Sequence, residues 1–196
     1  MCSGFFISRA MKILMIVGLL FIGLSTHAQT KIGGVIMPNA VKAGDEYIKI
    51  NGGGIREKLY MDLYIGVLYL REKTSDASKI MSADEPMAIK LRIVSSMVSK
   101  DNMEEAIRTG FDKSTKNNIT AISAKIDQLI SAGFKDEIAI GDIFDLIYLP
   151  GTGTTLYKNN ASVVNITGLD FKKALFGIWL CDQPADENLK TKMLGL

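Results

Sequence analysis

Arg56, Tyr60 and Tyr64 are the residues whose types and spacing are best suited to chemistry in this sequence. Segment 56–70 alternates between apolar and other side chains, a period of two that is typical of β-strands. On a regular strand these three side chains share a face, so a guanidinium and two phenols converge beside apolar residues. Arg donates hydrogen bonds in a rigid fork that suits carboxylate or enolate oxygens. The spacing therefore predicts an anion or carbonyl anchor in an apolar cleft; the alternative is an exposed Arg at a strand start.

The N-terminal segment 1–28 has the layout of a secretory signal peptide. A positive charge is followed by the uncharged apolar run 13–24 and by small residues that end at Ala28. A membrane anchor is the alternative, but a span needs about 20 apolar residues and this run is shorter. We expect cleavage before Gln29 and export to the periplasm or the extracellular space. Met11 is an alternative start, because the residues before it add little to the signal.

Removal of this segment changes the charge balance of the protein. It carries two basic residues and no acidic one, so 23 minus 2 leaves 21 Lys and Arg against 21 Asp and Glu. A net charge near zero gives no basic surface for nucleic acid or for an anionic membrane. No other apolar run is long enough to span a bilayer. We therefore predict neither a nucleic-acid partner nor a membrane span.

The histidine and cysteine content restricts the chemistry further. The one histidine, His27, belongs to the predicted signal peptide. The mature chain then has neither a Ser–His or Cys–His nucleophile pair nor a His-ligated zinc or iron site. Cys2 is also removed, which leaves Cys181 without a partner for an intramolecular disulfide. We predict no metal and no cofactor.

The elements that must position the anchor form one α+β domain over 29–196, since strand patterns come first and helical patterns enter later without a linker. Strands are predicted at 46–51, 56–70, 87–94, 142–149, 154–157 and 162–166, with 56–70 either one long strand or a bent pair. Helices are predicted at 76–82, 102–116, 120–132, 171–180 and 186–194. We expect a large antiparallel sheet with helices packed on one face.

Several conspicuous residues are interpreted as structural. Segment 52–54 is Gly-Gly-Gly, and a strand-like segment follows it where a phosphate-binding loop needs a helix, so we predict a tight turn or a bulge. Trp179 lies on the apolar stripe of a predicted helix and is assigned to the core. Most methionines fill the core in this interpretation, although several of them can also line an adaptable apolar pocket; they are Met37, Met61, Met81, Met87, Met97 and Met103.

Four stretches of the chain resemble the chalcone isomerase-like family, and most closely its exported bacterial branch. These stretches thread nearly the whole mature chain: 52–56, 63–70, the Gly-x-Gly-Thr turn at 151–154, and 170–180. The resemblance implies an open-faced β-sandwich, in which helices cover a large antiparallel sheet and a ligand cleft lies between them.

The resemblance also implies roles for particular residues. Plant enzymes of the family cyclise a chalcone to a flavanone with an Arg, a Thr on the following strand, and a Tyr and an Asn on a helix. Arg56 matches the Arg, and Tyr64 stands at the Thr position, a substitution seen in the fatty-acid-binding relatives. Ser99 and Ala106 align with the helix Tyr and Asn. The departures at three positions favour binding over cyclisation.

We therefore predict an exported, non-catalytic binding protein for a small amphipathic or aromatic carboxylate, with a fatty acid as the first candidate and a tetrapyrrole or an aromatic acid after it. Arg56, Tyr64 and Tyr60 are the predicted ligand-binding residues, and no catalytic residue is assigned. Two alternatives stay open: a chalcone-type isomerase, which is an intramolecular lyase, and a structural or interaction protein with a vestigial cleft. The fold does not decide between them.

Overall fold

The computed structural model describes residues 30–196, which form an α+β fold. Its strands are β1 Thr30–Ile32, β2 Val35–Met37, β3 Ala40–Ala43, β4 Glu46–Lys58, β5 Met61–Leu70, β6 Met87–Ile93, β7 Ile143–Leu149, β8 Gly153–Lys158 and β9 Ala161–Ile166. Its helices are α1 Ala77–Ser82, α2 Lys100–Ser114, α3 Ser123–Gly133, α4 Leu169–Leu180 and α5 Glu187–Met193, with a 3-10 turn at Thr120–Ile122 before α3. The predicted signal peptide lies outside these residues.

The sheet is an antiparallel meander. Strands β3 to β9 pair in chain order, so each strand lies beside the strand that follows it in the chain. Strands β1 and β2 form a separate two-stranded hairpin. The predicted class, α+β with a large antiparallel sheet, is confirmed. The first three strands were not predicted, because segments of three or four residues are too short to carry a clear alternation.

Both faces of the sheet are buried. The larger core lies between one face and the helices, and on β5 it contains Tyr64 and Leu68. The opposite face carries a smaller core with Ile65 and Val67, against which Ile32 of the β1–β2 hairpin packs. Strand β5 is apolar on both sides for this reason, whereas a strand with one solvated face alternates. In the part of the chain that the structure describes, no helix combines the length and apolar character needed to cross a bilayer.

Glycines 52–54 lie inside strand β4, and the predicted end of a strand at residue 51 is wrong. The register with β5 shifts between Ile50 and Gly52, which makes Asn51 the extra residue of a bulge, one of the two predicted alternatives. Helix α5 packs directly on this point. A Cβ on Gly52 would collide with the carbonyl oxygen of Lys192, and one on Gly54 would lie 2.9 Å from the Lys192 Cβ. The glycines therefore permit close contact between helix and sheet.

Segment 56–70 comprises the end of β4, a two-residue turn and β5, so it is a pair of strands, but the chain reverses between them and the predicted continuous alternation is wrong. Its two-residue turn consists of Leu59 and Tyr60, whose φ angles are 52° and 64°. Residues 30–196 contain two other two-residue hairpin turns in which both φ angles are positive. Their residues are Gly33-Gly34 and Asn159-Asn160. Such turns favour Gly and Asn, because most other side chains clash with the backbone there. The Leu59-Tyr60 turn is therefore strained.

The paired substitution Leu59→Asn and Tyr60→Gly is expected to raise the free energy of unfolding by about 1–2 kcal/mol, because it relieves the left-handed strain. Little packing is lost, since Leu59 and Tyr60 are mostly exposed. Urea unfolding of both proteins measures the difference. As a control, Asn160→Gly in the other hairpin should change stability much less, because Asn already tolerates this conformation. Equal stability of the paired variant and the parent would contradict the assignment of strain.

Candidate functional site

A cleft of about 360 Å³ opens between the β4–β5 hairpin and helix α2. Its apolar lining includes Leu63, Met97, Val98, Met103 and Ala106. Its polar and charged lining consists of Arg56, Lys58, Tyr64, Asn102, Glu105, Thr109 and Lys113. The volume falls in the usual range of small-molecule sites, about 300–1,000 Å³. The cleft can therefore hold a small ligand with an apolar body and a polar head.

Arg56 and Tyr64 meet in this cleft as directly paired residues of β4 and β5. The guanidinium carbon of Arg56 lies 5.5 Å from the centre of the Tyr64 ring, and Arg56 Nη1 donates a long 3.5 Å hydrogen bond to Tyr64 Oη. Among residues 30–196, no carboxylate forms an ion pair with Arg56. A partly buried guanidinium without a counter-ion is suited to an anionic ligand.

The hydroxyl of Tyr64 is held by two donors. Trp179 Nε1 donates to it at 2.9 Å, in addition to the bond from Arg56. A hydroxyl accepts two hydrogen bonds and donates one. Within the described residues, Tyr64 Oη donates to no protein acceptor, so its hydrogen is available to a ligand. Burial raises the pKa of Tyr64, an effect that the nearby Arg56 charge opposes, and the phenol is therefore a protonated donor at neutral pH.

The predicted convergence of three side chains is wrong for Tyr60. This residue is fully exposed in the hairpin turn and is absent from the cleft lining. The prediction assumed that strand parity continues from Arg56 to Tyr64, but a turn interrupts the strand between them. Arg56 and Tyr64 come together instead because they face each other across the hairpin. A Leu-Tyr turn gives no signal of its position, since it lacks the Gly or Asn that usually marks one.

Helix α2 forms the opposite wall and carries one of the two residues aligned with the helix Tyr and Asn of the plant enzymes. Ser99 is the N-cap of α2, and its Oγ accepts a hydrogen bond from the Asn102 backbone amide at 3.2 Å. Ala106 lines the cleft but has no hydrogen-bonding side chain. The side chain of Asn102 lines the cleft and donates to the Met97 carbonyl at 3.0 Å.

Trp179 belongs to the core as predicted, and it also makes a polar contact that was not predicted from the sequence. It lies on α4, is buried, and reaches Tyr64 across 115 positions of the chain. A buried indole N–H nearly always finds an acceptor, which is the signal that points to a partner for Trp179. The identity of the partner follows only from the packing of α4 on the sheet. Trp179 thus supports the hydroxyl that lines the cleft.

Residues that could hold a metal are not grouped in the described part of the chain. No three His, Cys, Asp or Glu side chains of residues 30–196 come together as ligands would. Cys181 is a buried free thiol at the end of α4.

The chain matches one family model and is similar in fold to a protein of known structure. The family model described as chalcone isomerase-like matches residues 29–195. The crystal structure of a fatty-acid binding protein from Arabidopsis thaliana is similar, with a TM-score of 0.68 and 16% sequence identity over 85% of this chain and 96% of that one. At this identity the similarity concerns the fold. No curated protein sequence matches the chain.

Proposed function

The chain belongs to the chalcone isomerase-like family, and we propose that it is an exported, non-catalytic binding protein for a small amphipathic carboxylate. A fatty acid is the first candidate ligand, ahead of a tetrapyrrole or an aromatic acid. The observation that carries this proposal is the Arg56–Tyr64 pair. An Arg with no ion-pair partner among residues 30–196 and a phenol whose hydrogen is available both line one cleft that also has apolar walls.

The pair matches the chemistry of a carboxylate head. The guanidinium offers parallel N–H donors to the two carboxylate oxygens, and the Tyr64 hydroxyl offers one more. Because the pKa of Tyr64 is raised by burial, the phenol keeps its hydrogen and does not repel the anion. Leu63 and Val98 contribute apolar walls for the body of the ligand. The fatty-acid binding described for the Arabidopsis protein of similar fold supports this ligand class.

Binding is favoured over cyclisation because the helix wall lacks donors at the aligned positions. Ser99 caps α2 and does not line the cleft, and Ala106 has no polar side-chain group. An oxyanion-type stabilisation needs several donors fixed around the developing charge. At the positions aligned with the plant enzymes, only Arg56 and Tyr64 supply donors to the cleft; Thr109 and Lys113 of α2 also line it, but at other positions.

Solvent extraction of freshly purified protein tests the proposal. We expect mass spectrometry of the extract to identify a retained fatty acid or a related amphipathic acid, and we expect no chalcone cyclisation above background. Turnover of a chalcone that disappears in the Arg56→Ala variant would support the isomerase alternative instead. An empty protein that also fails to bind added fatty acids would support a structural or interaction role.

Export is tested by N-terminal sequencing of the protein from its native cells. Because 1–28 has the signal layout, we expect the sequence to begin at Gln29 or a near neighbour. The protein should also appear in the periplasmic or extracellular fraction. An intact Met1 or Met11 on protein embedded in a membrane would contradict this part of the proposal.

A further inference from the structure

A second, smaller void lies in the core behind the cleft. Its volume is about 20 Å³, and the surface that lines it is entirely apolar. The lining includes Leu129 of α3, Phe134 directly after α3, and Trp179 of α4. Among the residues that the structure describes, Met103 of α2 alone lines both the void and the cleft. Its buried side chain therefore separates the two spaces.

We propose that Met103 is the gate between the cleft and this void, and that it sets the length of the acyl chain that the protein accepts. The proposal rests on the proposed function, in which the cleft binds a fatty acid. In the closed position Met103 ends the cleft. When its side chain swings aside, the end of an acyl tail enters the void and takes the place of the methionine atoms.

The chemistry of methionine suits this role. Its side chain is unbranched and has three rotatable bonds, so it changes shape at low cost in a core where a branched residue would be fixed. The void alone holds little more than one water-sized sphere, and an apolar void of this kind stays dry. Space for several carbon atoms arises only when Met103 also moves. The lining has no polar group that the tail would leave without a hydrogen bond.

The position of the head anchor favours this inward path. Trp179 donates to Tyr64 Oη and also lines the void, so one indole contacts both the anchor and the void. A tail that leaves the Arg56–Tyr64 pair past Met103 therefore runs along Trp179. The outward path instead ends beside Leu59 and Met97, which are 75% and 45% exposed. A tail there stays largely hydrated, whereas the inward path removes it from water.

The single tryptophan of the chain allows a direct test on the unmodified protein. Bromine quenches tryptophan fluorescence on close approach. An α-bromo fatty acid carries its bromine beside the carboxylate, and an ω-bromo acid of the same length carries it at the tail end. We expect both acids to quench Trp179, since the head binds Tyr64 and the tail enters the void. Quenching by the α-bromo acid alone would overturn the gate, and quenching by neither would overturn the proposed function itself.

Variants of the gate should shift the preferred chain length. Met103→Ala is expected to bind acids longer by about two carbons roughly tenfold more tightly than the parent does, because those methylenes become buried. Leu129→Phe fills the void from its far side and should shift the preference toward shorter acids. Met87→Ala is the matched control, since Met87 is buried in the same core but lines neither space. An unchanged length preference in both Met103→Ala and Leu129→Phe, or an equal shift in Met87→Ala, would overturn the gate.

Discussion

Replacing Arg56 by alanine is expected to weaken the binding of a fatty acid at least tenfold. A charge-assisted hydrogen bond contributes about 1.5–3 kcal/mol, and each 1.4 kcal/mol corresponds to about tenfold in affinity. Arg56→Lys should recover little of the loss, because an ammonium group cannot form two parallel bonds to a carboxylate. Isothermal titration calorimetry of the two variants and the parent measures the effect.

One further variant and one control test this site. Tyr64→Phe should cost about 0.5–1.5 kcal/mol of binding, as expected for one neutral hydrogen bond. Arg71→Ala is a matched arginine control, since Arg71 pairs with Glu46 at the surface and does not line the cleft. Unliganded Arg56→Ala should melt close to the parent temperature. Unchanged affinity in Arg56→Ala, or a large loss of stability without a binding defect, would assign Arg56 a structural role.

Replacing Lys172 by methionine is expected to lower the free energy of unfolding by about 3 kcal/mol or more. Lys172 on α4 is fully buried. Its Nζ donates to the carbonyl oxygens of Ile80, Met81 and Ala83 at 2.8, 3.1 and 2.7 Å, at the end of α1. Methionine fills a similar space but leaves these carbonyls without a donor, and each buried unsatisfied group costs about 1–3 kcal/mol. Urea unfolding measures the loss.

The adjacent Lys173 provides the control for this prediction, because it is exposed on the same helix. Lys173→Met should change the free energy of unfolding by less than about 0.5 kcal/mol, as surface substitutions usually do. Comparable losses in the two variants would show that Lys172 does not tie α1 to α4.

Lys172 should also make stability depend on pH. Burial lowers its pKa from the ordinary value of 10.5 to about 8, an effect that Asp84 opposes. Between these values the unfolded chain binds a proton that the folded protein lacks, so stability rises with pH in this window. Above about pH 10, Tyr148 opposes this rise in stability. Its pKa is raised to about 12 by burial and by its hydrogen bond to Asp84, so the folded protein keeps a proton that the unfolded chain loses. The rise between pH 8 and 10 should be absent in Lys172→Met.

The main sheet strands and the helices followed from the sequence because their signals are local. Alternation, caps and turn residues act over a few positions, and they gave most strands from β5 onward and all five helices to within a few residues. Strand β4 extends past its predicted end. Three consecutive glycines predict the end of a strand, because glycine weakens a strand, but here another element packs on glycines 52–54 and stabilises them. That element is α5, whose contact with Asn51 spans 142 positions of the chain.

The sequence by itself identified both residues of the key pair, Arg56 and Tyr64, although the strand parity from which their convergence was predicted is interrupted by a turn. Their residue types suggested an anion anchor, and the structure brings them together as cross-strand partners of the β4–β5 hairpin. Only the tertiary structure decided that Tyr60 turns away, that Trp179 holds the Tyr64 hydroxyl, and that Met103 separates the cleft from a void. These relations depend on how α2 and α4 pack on the sheet. Packing joins residues far apart in the chain, so no local pattern of residue types encodes it.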